Sequence, residues 1–390
     1  MWLKPAERLA DIQEYYFSRK LREIAQLRAE GHAIISLGIG SPDLAPAAEV
    51  IETLAQKSKD PTLHGYQSYT GLDVLRKSWA DWYQRFYAVT VNPVNEILPL
   101  IGSKEGIVHI SMAFLDRGDE VLVPDPGYPT YSAAAKLAGA SVRTYALTAN
   151  RKWEPDLAAL EQQDLSRVKI MWINYPHMPT GAPGSLALFE DLVDFAKRHH
   201  ILLCHDNPYS FIRNNKPSSI LSVSGASEVC LELNSLSKAL NLAGWRMGAL
   251  VGHADLVQTV LRFKSNMDSG QFAPAQLAAV TALGLPDAWY QNLNDIYHRR
   301  ARIAQKIMDE LNCNVDDQAI GMFMWGAVPD TYQDGYALSD RLLYHAGVFV
   351  TPGGVFGMQG NPYIRISLCA NEMMLENALD QVKEMKKAQG

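Results

Sequence analysis

Cysteine pairs, basic blocks and long apolar runs are all missing from this chain of 390 residues. The four cysteines, at positions 204, 230, 313 and 369, show neither close pairing nor metal-ligand spacing, which argues against a metal motif and indicates a reducing compartment. The formal net charge is −6 with no basic stripe, so a nucleic-acid partner is disfavoured. No run reaches the length of a membrane span, and the N-terminus has no apolar signal core. These absences predict a cytoplasmic protein without a membrane or nucleic-acid partner.

Apolar strand-like runs alternate with helical patterns through the middle of the chain. The runs are EVLVPDP, SVRTYAL, VKIMWINYP, ILLCHDNPY and EVCLELNSLSK, and SLALFEDLVDFAKRHH between two of them has helical periodicity. This alternation predicts an α/β fold with a mostly parallel sheet covered by helices. The pattern changes near residue 285, where a long helix begins. We therefore predict a large domain over residues 46–284 and a smaller α+β domain formed by residues 1–45 and 285–390.

Polar clusters follow several of these runs, at the point where each run ends. They read PDPGY, NYPHMPTG, HDNPY and LNSLSK. Ligands of such folds bind beyond the carboxyl ends of the strands. The sequence therefore predicts one site assembled from several loops.

Lys238 lies in SLSKALNLAGWRMG, after the run EVCLEL. A lone lysine is usually an exposed surface residue. Here Ser235 and Ser237 precede it and Arg246 follows, and hydroxyls with a guanidinium group can hold a phosphate. A lysine beside a phosphate site suits a Schiff base with an aldehyde cofactor.

Asp206 and Tyr209 lie in HDNPY, directly after the run ILLC. This segment is as typical of a structural turn or helix cap as it is of a functional site. If the carboxylate is buried, it needs a cationic partner, which a protonated pyridine nitrogen supplies. Tyr209 could then donate to the phenolic oxygen of the same ring.

Three further residues have both a structural and a functional reading. Ser103, in GSKEG, either caps a helix or faces an anion at its N-terminus. Tyr128, in PDPGYPTY, either packs in the core or stacks on a flat cofactor. Arg365, in YIRISL, is either a structural arginine or a bidentate clamp for a carboxylate.

Taken together, these motifs resemble the fold-type I enzymes that use pyridoxal 5'-phosphate (PLP), namely the class I/II aminotransferases. The resemblance covers roughly residues 30 to 385 and is nearest to the branch with LL-diaminopimelate, alanine and aspartate aminotransferases. It implies the PLP-dependent transferase fold and a homodimer with shared active sites.

The resemblance also implies a role for each matching residue. Lys238 would form the Schiff base, Asp206 would pair with the pyridine nitrogen, Tyr209 would donate to the ring oxygen and Tyr128 would stack on the ring. The phosphate site would comprise Gly102, Ser103, Lys104, Ser235, Ser237 and Arg246, with Tyr66 reaching the phosphate of the neighbouring subunit. Arg365 would clamp the α-carboxylate of the substrate with the Gly40 backbone beside it, and residues 264–272 would form a loop facing the partner.

The chain departs from the family pattern at Met178. The family usually reads Asn-Pro-Thr-Gly, whereas this chain reads Met178-Pro179-Thr180-Gly181. A thioether is a weak acceptor and cannot donate. Tyr209 would then be the main donor to the ring oxygen, with His177 as a possible partial replacement for the missing amide.

The function implied is transfer of an amino group between an L-amino acid and a 2-oxo acid, such as 2-oxoglutarate or pyruvate. Another PLP reaction, by a C–S β-lyase or synthase, and a non-catalytic PLP-binding protein remain alternatives, because fold does not fix reaction type. A nucleotide-binding enzyme would leave Lys238, Asp206 and Arg365 unexplained. The substrate side chain could meet polar residues near the N-terminus, namely Tyr15, Tyr16, Ser18, Arg19 and Lys20, which would suit a dicarboxylic or diaminodicarboxylic substrate, or these residues could simply cap a helix.

Overall fold

A computed structural model of the chain describes residues 3–10, 12, 14 and 16–388. Its helices alternate with strands through residue 264 and then dominate the C-terminal third. The helices are α1 (Tyr16–Ala29), α2 (Ala48–Lys57), α3 (Asp73–Tyr87), α4 (Ser103–Phe114), α5 (Thr130–Leu137), α6 (Leu157–Glu161), α7 (Leu186–His199), α8 (Leu236–Ala239), α9 (Ala254–Lys264), α10 (Ala273–Leu283), α11 (Asp287–Glu310), α12 (Gly335–Arg341) and α13 (Glu372–Lys387). The strands are β1 (Ile35–Ser36), β2 (Ile97–Leu100), β3 (Glu120–Asp125), β4 (Ser141–Ala146), β5 (Val168–Ile173), β6 (Leu202–Asp206), β7 (Cys230–Ser235), β8 (Gly248–Gly252), β9 (Asn314–Val315), β10 (Phe323–Ala327), β11 (Val348–Phe349), β12 (Thr351–Pro352) and β13 (Tyr363–Ser367).

The central sheet has seven strands in the order β2-β8-β7-β6-β5-β3-β4. Strands β3 to β7 pair in parallel, and β8 runs antiparallel to both of its neighbours. Strand β5 shows why the sheet is central, because five of its six residues are buried. A strand buried on both faces reads as a continuous apolar run, and VKIMWI is such a run.

The helices that cover this sheet have clear local start and stop signals. The Ser185 hydroxyl accepts a hydrogen bond from the Leu188 N–H at the start of α7, which satisfies a backbone donor that the helix leaves unpaired. Its last turn carries Lys197, Arg198 and His199, where positive charge complements the helix dipole. The helix then ends at His200 in the left-handed conformation.

A second, smaller sheet is built from the C-terminal part of the chain. It has four strands in the order β12-β13-β10-β9, all antiparallel. Residues near the N-terminus join this region, since β1 pairs with β11 and Ile24 of α1 packs with Leu343 and Phe349. The division into domains at residues 45/46 and 284/285 stays a prediction.

Three apolar clusters of the described residues include strands of the central sheet. One contains Ile170 and Trp172, and a second contains Ala249 of β8. The third contains both Met171 of β5 and Ile366 of β13, so it extends from the central sheet to the smaller one. The sequence prediction of an α/β fold with a mostly parallel sheet and a smaller α+β region is confirmed. In the part of the chain that the structure describes, no helix is both long and apolar enough to cross a bilayer.

Candidate active site

A pocket of about 550 Å³ opens at the carboxyl ends of the parallel strands, between the two sheets. It is lined by side chains from six of the segments that the sequence singled out. The lining residues are Phe17, Leu21, Ile39, Gly40, Ser103, Lys104, Tyr128, Tyr131, Asn174, Met178, Asp206, Pro208, Tyr209, Ser235, Ser237, Lys238, Ala243, Arg246, Phe323, Phe356 and Arg365. The expected assembly of one site from several strand ends is therefore seen in the structure.

Lys238 lies in α8, immediately after β7 ends at Ser235. Its amine donates a hydrogen bond to the Gly40 carbonyl over 2.6 Å. Burial, together with the guanidinium groups of Arg365 and Arg246, lowers the pKa of the Lys238 amine below its usual range. Burial acts in this direction because it penalises the charged form. These effects increase the fraction of the amine that is neutral and nucleophilic relative to an exposed lysine.

Asp206 is the last residue of β6 and is 5% exposed. The Tyr131 hydroxyl donates to its Oδ2 over 2.9 Å, whereas Oδ1 accepts no hydrogen bond from the described residues. Burial raises the pKa of the carboxyl to about 6, with the Tyr131 hydrogen bond partly offsetting it. A buried carboxylate oxygen of this kind calls for a cationic donor.

A polar cradle lies beside Lys238, where α4 and α8 begin. The Ser235 hydroxyl donates to the Ser237 hydroxyl over 2.9 Å, and the Arg246 guanidinium lies 3.5 Å from the same Ser237 oxygen. The Ser103 hydroxyl, at the first residue of α4, is buried without a hydrogen-bond partner among the described residues. Hydroxyls, a helix N-terminus and a guanidinium group together suit an anion.

Gly102 brings α4 and Arg246 close together. It is the N-cap of α4 and has φ +81°. A Cβ at this position would lie 2.3 Å from the Arg246 Nη2 atom. The cradle therefore requires glycine here both for backbone conformation and for space. The N-cap is Gly102 rather than Ser103, which corrects the structural reading of Ser103 as the cap.

Arg365 lies on β13 and is 4% exposed. Its Nη2 donates to the Gly38 carbonyl over 2.9 Å, and its guanidinium carbon lies 4.0 Å from the centre of the Phe323 ring and 4.6 Å from that of Phe356. Aromatic faces stabilise a cation in this arrangement. The group is thus fixed at the wall of the pocket, where it can receive a carboxylate.

The other aromatic residues expected at the site also lie in the pocket. Tyr128 and Tyr209 both line it, and burial raises the pKa of each phenol above its usual value. Both are therefore neutral hydrogen-bond donors at ordinary pH. Lys104 lines the pocket next to Ser103, and Gly40 lines it where its carbonyl meets the Lys238 amine.

Met178 occupies the pocket wall beside the arginine. Its sulfur lies 3.3 Å from the Arg365 Nη1 atom. The neighbouring amide of Asn174 is already engaged, because its Nδ2 donates to the Asp206 carbonyl over 2.5 Å and its Oδ1 accepts from the Met178 N–H over 2.8 Å.

His177 does not replace the missing amide. It is absent from the pocket lining, and its Nδ1 lies 2.7 Å from the Thr180 hydroxyl. Burial lowers the pKa of this imidazole to about 3. The expectation that His177 partly compensates for Met178 is therefore not supported.

Several residues expected at the site lie away from the pocket of their own chain. Tyr66 does not line it and is 96% exposed. Such exposure is expected of a residue that serves a neighbouring subunit. Tyr15 lies outside the described residues. The polar neighbours Tyr16, Ser18, Arg19 and Lys20 are also absent from the lining.

Sequence reasoning missed two groups of lining residues. Tyr131 was overlooked, although it lies in the same PDPGYPTY segment as Tyr128 and their ring centres are 5.6 Å apart. The apolar residues Phe17, Leu21, Phe323 and Phe356 were also missed, because nothing in an apolar residue on a helix or strand distinguishes a pocket from a core.

The sequence and the fold both match known proteins over almost the whole chain. A family model described as aminotransferase class I and II matches residues 32–382. An LL-diaminopimelate aminotransferase of Dehalococcoides mccartyi (strain CBDB1) is 40% identical over 389 residues, which are 99% of this chain and 100% of that protein. The protein of the same name from Moorella thermoacetica is 38% identical over 98% of each chain.

Solved structures give the same picture. The substrate-bound structure of BacF from Bacillus superimposes with a TM-score of 0.94, 32% identity and coverage of 98% of both chains. A probable N-succinyldiaminopimelate aminotransferase from Thermus thermophilus has a TM-score of 0.89 and 31% identity, with coverage of 95% of this chain and 99% of that one.

Proposed function

The chain belongs to the class I and II aminotransferase family and is an aminotransferase, and we propose that it uses PLP, held by Lys238, to move an amino group between an L-amino acid and a 2-oxo acid. The observation that carries this proposal is the convergence of Lys238 and Asp206 in one pocket. An amine with a lowered pKa and a buried carboxylate oxygen lacking a donor are the two groups that opposite ends of such a cofactor require.

The described residues fit the cofactor at each of its polar groups. Asp206 Oδ1 is a buried acceptor without a partner among the described residues, which suits a protonated ring nitrogen. The cradle of Ser103, Ser235, Ser237 and Arg246, with Lys104 beside it, suits the phosphate. Tyr209 would donate to the ring oxygen and Tyr128 would stack on the ring.

PLP would supply an aldehyde that captures the amino group and a ring that accepts the electrons released when the Cα–H bond breaks. Lys238 would hold the aldehyde carbon before substrate arrives. Its released amine, with a pKa lowered by burial, would then act as the base that moves the proton from the substrate Cα. Arg365 would fix the α-carboxylate, and Asp206 would keep the ring nitrogen protonated.

The amino donor and acceptor are a separate question. The names of relatives that are 38–40% identical make LL-diaminopimelate one candidate donor, with aspartate and alanine as others, and 2-oxoglutarate or pyruvate as acceptors. We place the reaction in the cytoplasm, supported by four buried cysteines that all carry free thiols. A homodimer with shared sites is supported by the exposure of Tyr66.

The test is a Lys238→Ala variant, with Lys216→Ala as the control at an exposed lysine. We expect the first variant to lose both turnover and the absorbance of PLP joined to Lys238. The second variant should retain both. Formation of a new amino acid from a 2-oxo acid identifies transamination. Release of ammonia with pyruvate, and no new amino acid, would instead identify a β-lyase. Full turnover by Lys238→Ala would refute the assignment.

A further inference from the structure

Helix α1 presents an apolar face to the pocket. Phe17 and Leu21 both line it, and residues four apart lie on the same side of a helix. Phe17 also approaches Phe356, with ring centres 6.4 Å apart. The N-terminal helix therefore contributes hydrocarbon surface to the substrate site.

Two polar residues of the same segment, Ser18 and Lys20, are committed to other partners. The Ser18 hydroxyl donates to Glu14 Oε1 over 2.8 Å. The Lys20 amine lies 2.9 Å from Glu23 Oε2 and 3.3 Å from Asp340 Oδ1. Since these contacts satisfy both side chains on other faces of α1, neither is presented to a substrate.

The pocket is aromatic on several sides at the point where the substrate carboxylate would bind. The rings of Phe323, Phe356 and Phe17 surround the Arg365 guanidinium carbon at 4.0, 4.6 and 5.9 Å from their centres. A side chain attached to the carbon that bears this carboxylate must leave it next to these rings. The sulfur of Met178, 3.3 Å from the Arg365 Nη1 atom, is an uncharged, weakly accepting group at the same place.

The charged groups of the pocket are few, and each has a task in the proposed function. They are Lys104, Asp206, Lys238, Arg246 and Arg365. Asp206 is the one carboxylate among the described lining residues, and the ring nitrogen would take it. A second ammonium group on the substrate would therefore find no acid in this lining, and burying an unpaired charge is costly.

We propose that the amino donor carries an apolar or aromatic side chain, of the size of leucine, methionine or phenylalanine, and that donors with a second charged group are disfavoured. This inference rests on the proposed function, because it takes Arg365 as the clamp for the α-carboxylate. The donor proposed here differs from LL-diaminopimelate, the substrate in the names of the relatives.

The first experiment uses the PLP-loaded protein in single turnovers, so that the acceptor has no influence. The donors are L-phenylalanine, L-leucine and L-methionine on one side and L-aspartate, L-glutamate and LL-diaminopimelate on the other. We expect the apolar donors to discharge the cofactor absorbance with second-order rate constants at least about tenfold higher, the scale of discrimination by an apolar pocket.

The outcomes separate the inference from the proposed function. Equal or faster reaction of the charged donors would overturn the inference and leave the aminotransferase assignment intact. No reaction with any of the six donors or with L-alanine, in protein that has bound the cofactor, would overturn both.

A second measurement follows binding without reaction. Calorimetric titration of the loaded protein should give at least about tenfold tighter binding of 3-phenylpropanoate than of succinate; the reverse order would contradict the inference. Leu21→Arg, at a position that is 43% exposed, should narrow or invert this preference by adding a cation to the lining. Met373→Arg, 65% exposed and outside the pocket, is the matched control and should leave the preference unchanged.

Discussion

Asp206 holds a carboxylate where solvent scarcely reaches it, and this has a cost in the protein without cofactor. Burial raises its folded-state pKa from 3.8 to about 6, so the folded chain binds a proton more tightly than the unfolded chain. The free energy of unfolding therefore falls as the pH rises from about 4 to about 6. At about 1.4 kcal/mol for each pKa unit, the full cost is about 3 kcal/mol.

Asp206→Asn should accordingly stabilise the cofactor-free protein by about 1–3 kcal/mol at pH 7.5, with the difference disappearing near pH 4. The same change should weaken PLP binding, since the ring nitrogen loses its anionic partner. Denaturant unfolding at several pH values and a PLP titration check both effects. Asp191→Asn, at an exposed carboxylate, is the control; a stability gain of equal size there would refute the explanation.

Met178 is the second residue whose replacement is informative. Met178→Asn should add a hydrogen-bond donor near the ring oxygen, which stabilises the ionised oxygen. We expect the pH midpoint of the bound cofactor's colour change to move to lower pH. Spectrophotometric titration measures it, and Met178→Leu, which keeps an apolar side chain, should not move the midpoint downwards. An unchanged midpoint in Met178→Asn would show that position 178 does not reach the ring oxygen.

At the scale of elements, the start of α4 is the most constrained part of the site. Gly102→Ala would combine an unfavourable φ of +81° with a Cβ 2.3 Å from Arg246 Nη2. We expect a loss of about 1–3 kcal/mol in the free energy of unfolding, together with weaker PLP binding as Arg246 is displaced.

The control for this prediction is Gly284→Ala. Gly284 has φ −81°, and a Cβ there would meet its nearest atom at an ordinary 3.5 Å. Thermal unfolding and cofactor titration distinguish the two variants. Similar losses in both would show that the approach of α4 to Arg246 is not what requires glycine.

The sequence predicts the elements better than it predicts which faces they turn inward. Strands β3, β5, β6 and β7 follow from apolar runs and β4 from a β-like one. The position of Lys238 and Asp206 follows from the parallel sheet, because polar residues at strand ends meet at one edge. The inward face of α1 could not be predicted, since choosing Phe17 and Leu21 over Lys20 depends on contacts with Asp340, more than 300 positions away along the chain.

At the scale of the whole molecule, Tyr66 makes the proposed dimer testable. If this tyrosine reaches the phosphate of the neighbouring subunit, Tyr66→Ala should weaken PLP binding while barely affecting unfolding of the chain, because the side chain is 96% exposed. Mixing Tyr66→Ala with Lys238→Ala chains should restore activity, since a hybrid dimer contains one site with both native residues.

Sedimentation analysis and turnover after mixing measure this complementation. The shared site would be contradicted if Tyr66→Ala and Lys238→Ala chains formed hybrid dimers without any gain in activity. A monomer that retains full activity would do the same.

Lys238 and Arg365 belong to different sheets, the first after the central strand β7 and the second on β13 of the smaller sheet. The distance between the two sheets consequently sets how many bonds can separate a substrate's amino nitrogen from its carboxyl group. In a β-amino acid one more carbon separates these groups, so we expect L-alanine to discharge the cofactor faster than β-alanine in single turnovers. Equal rates would show that the separation of Lys238 from Arg365 does not select the substrate.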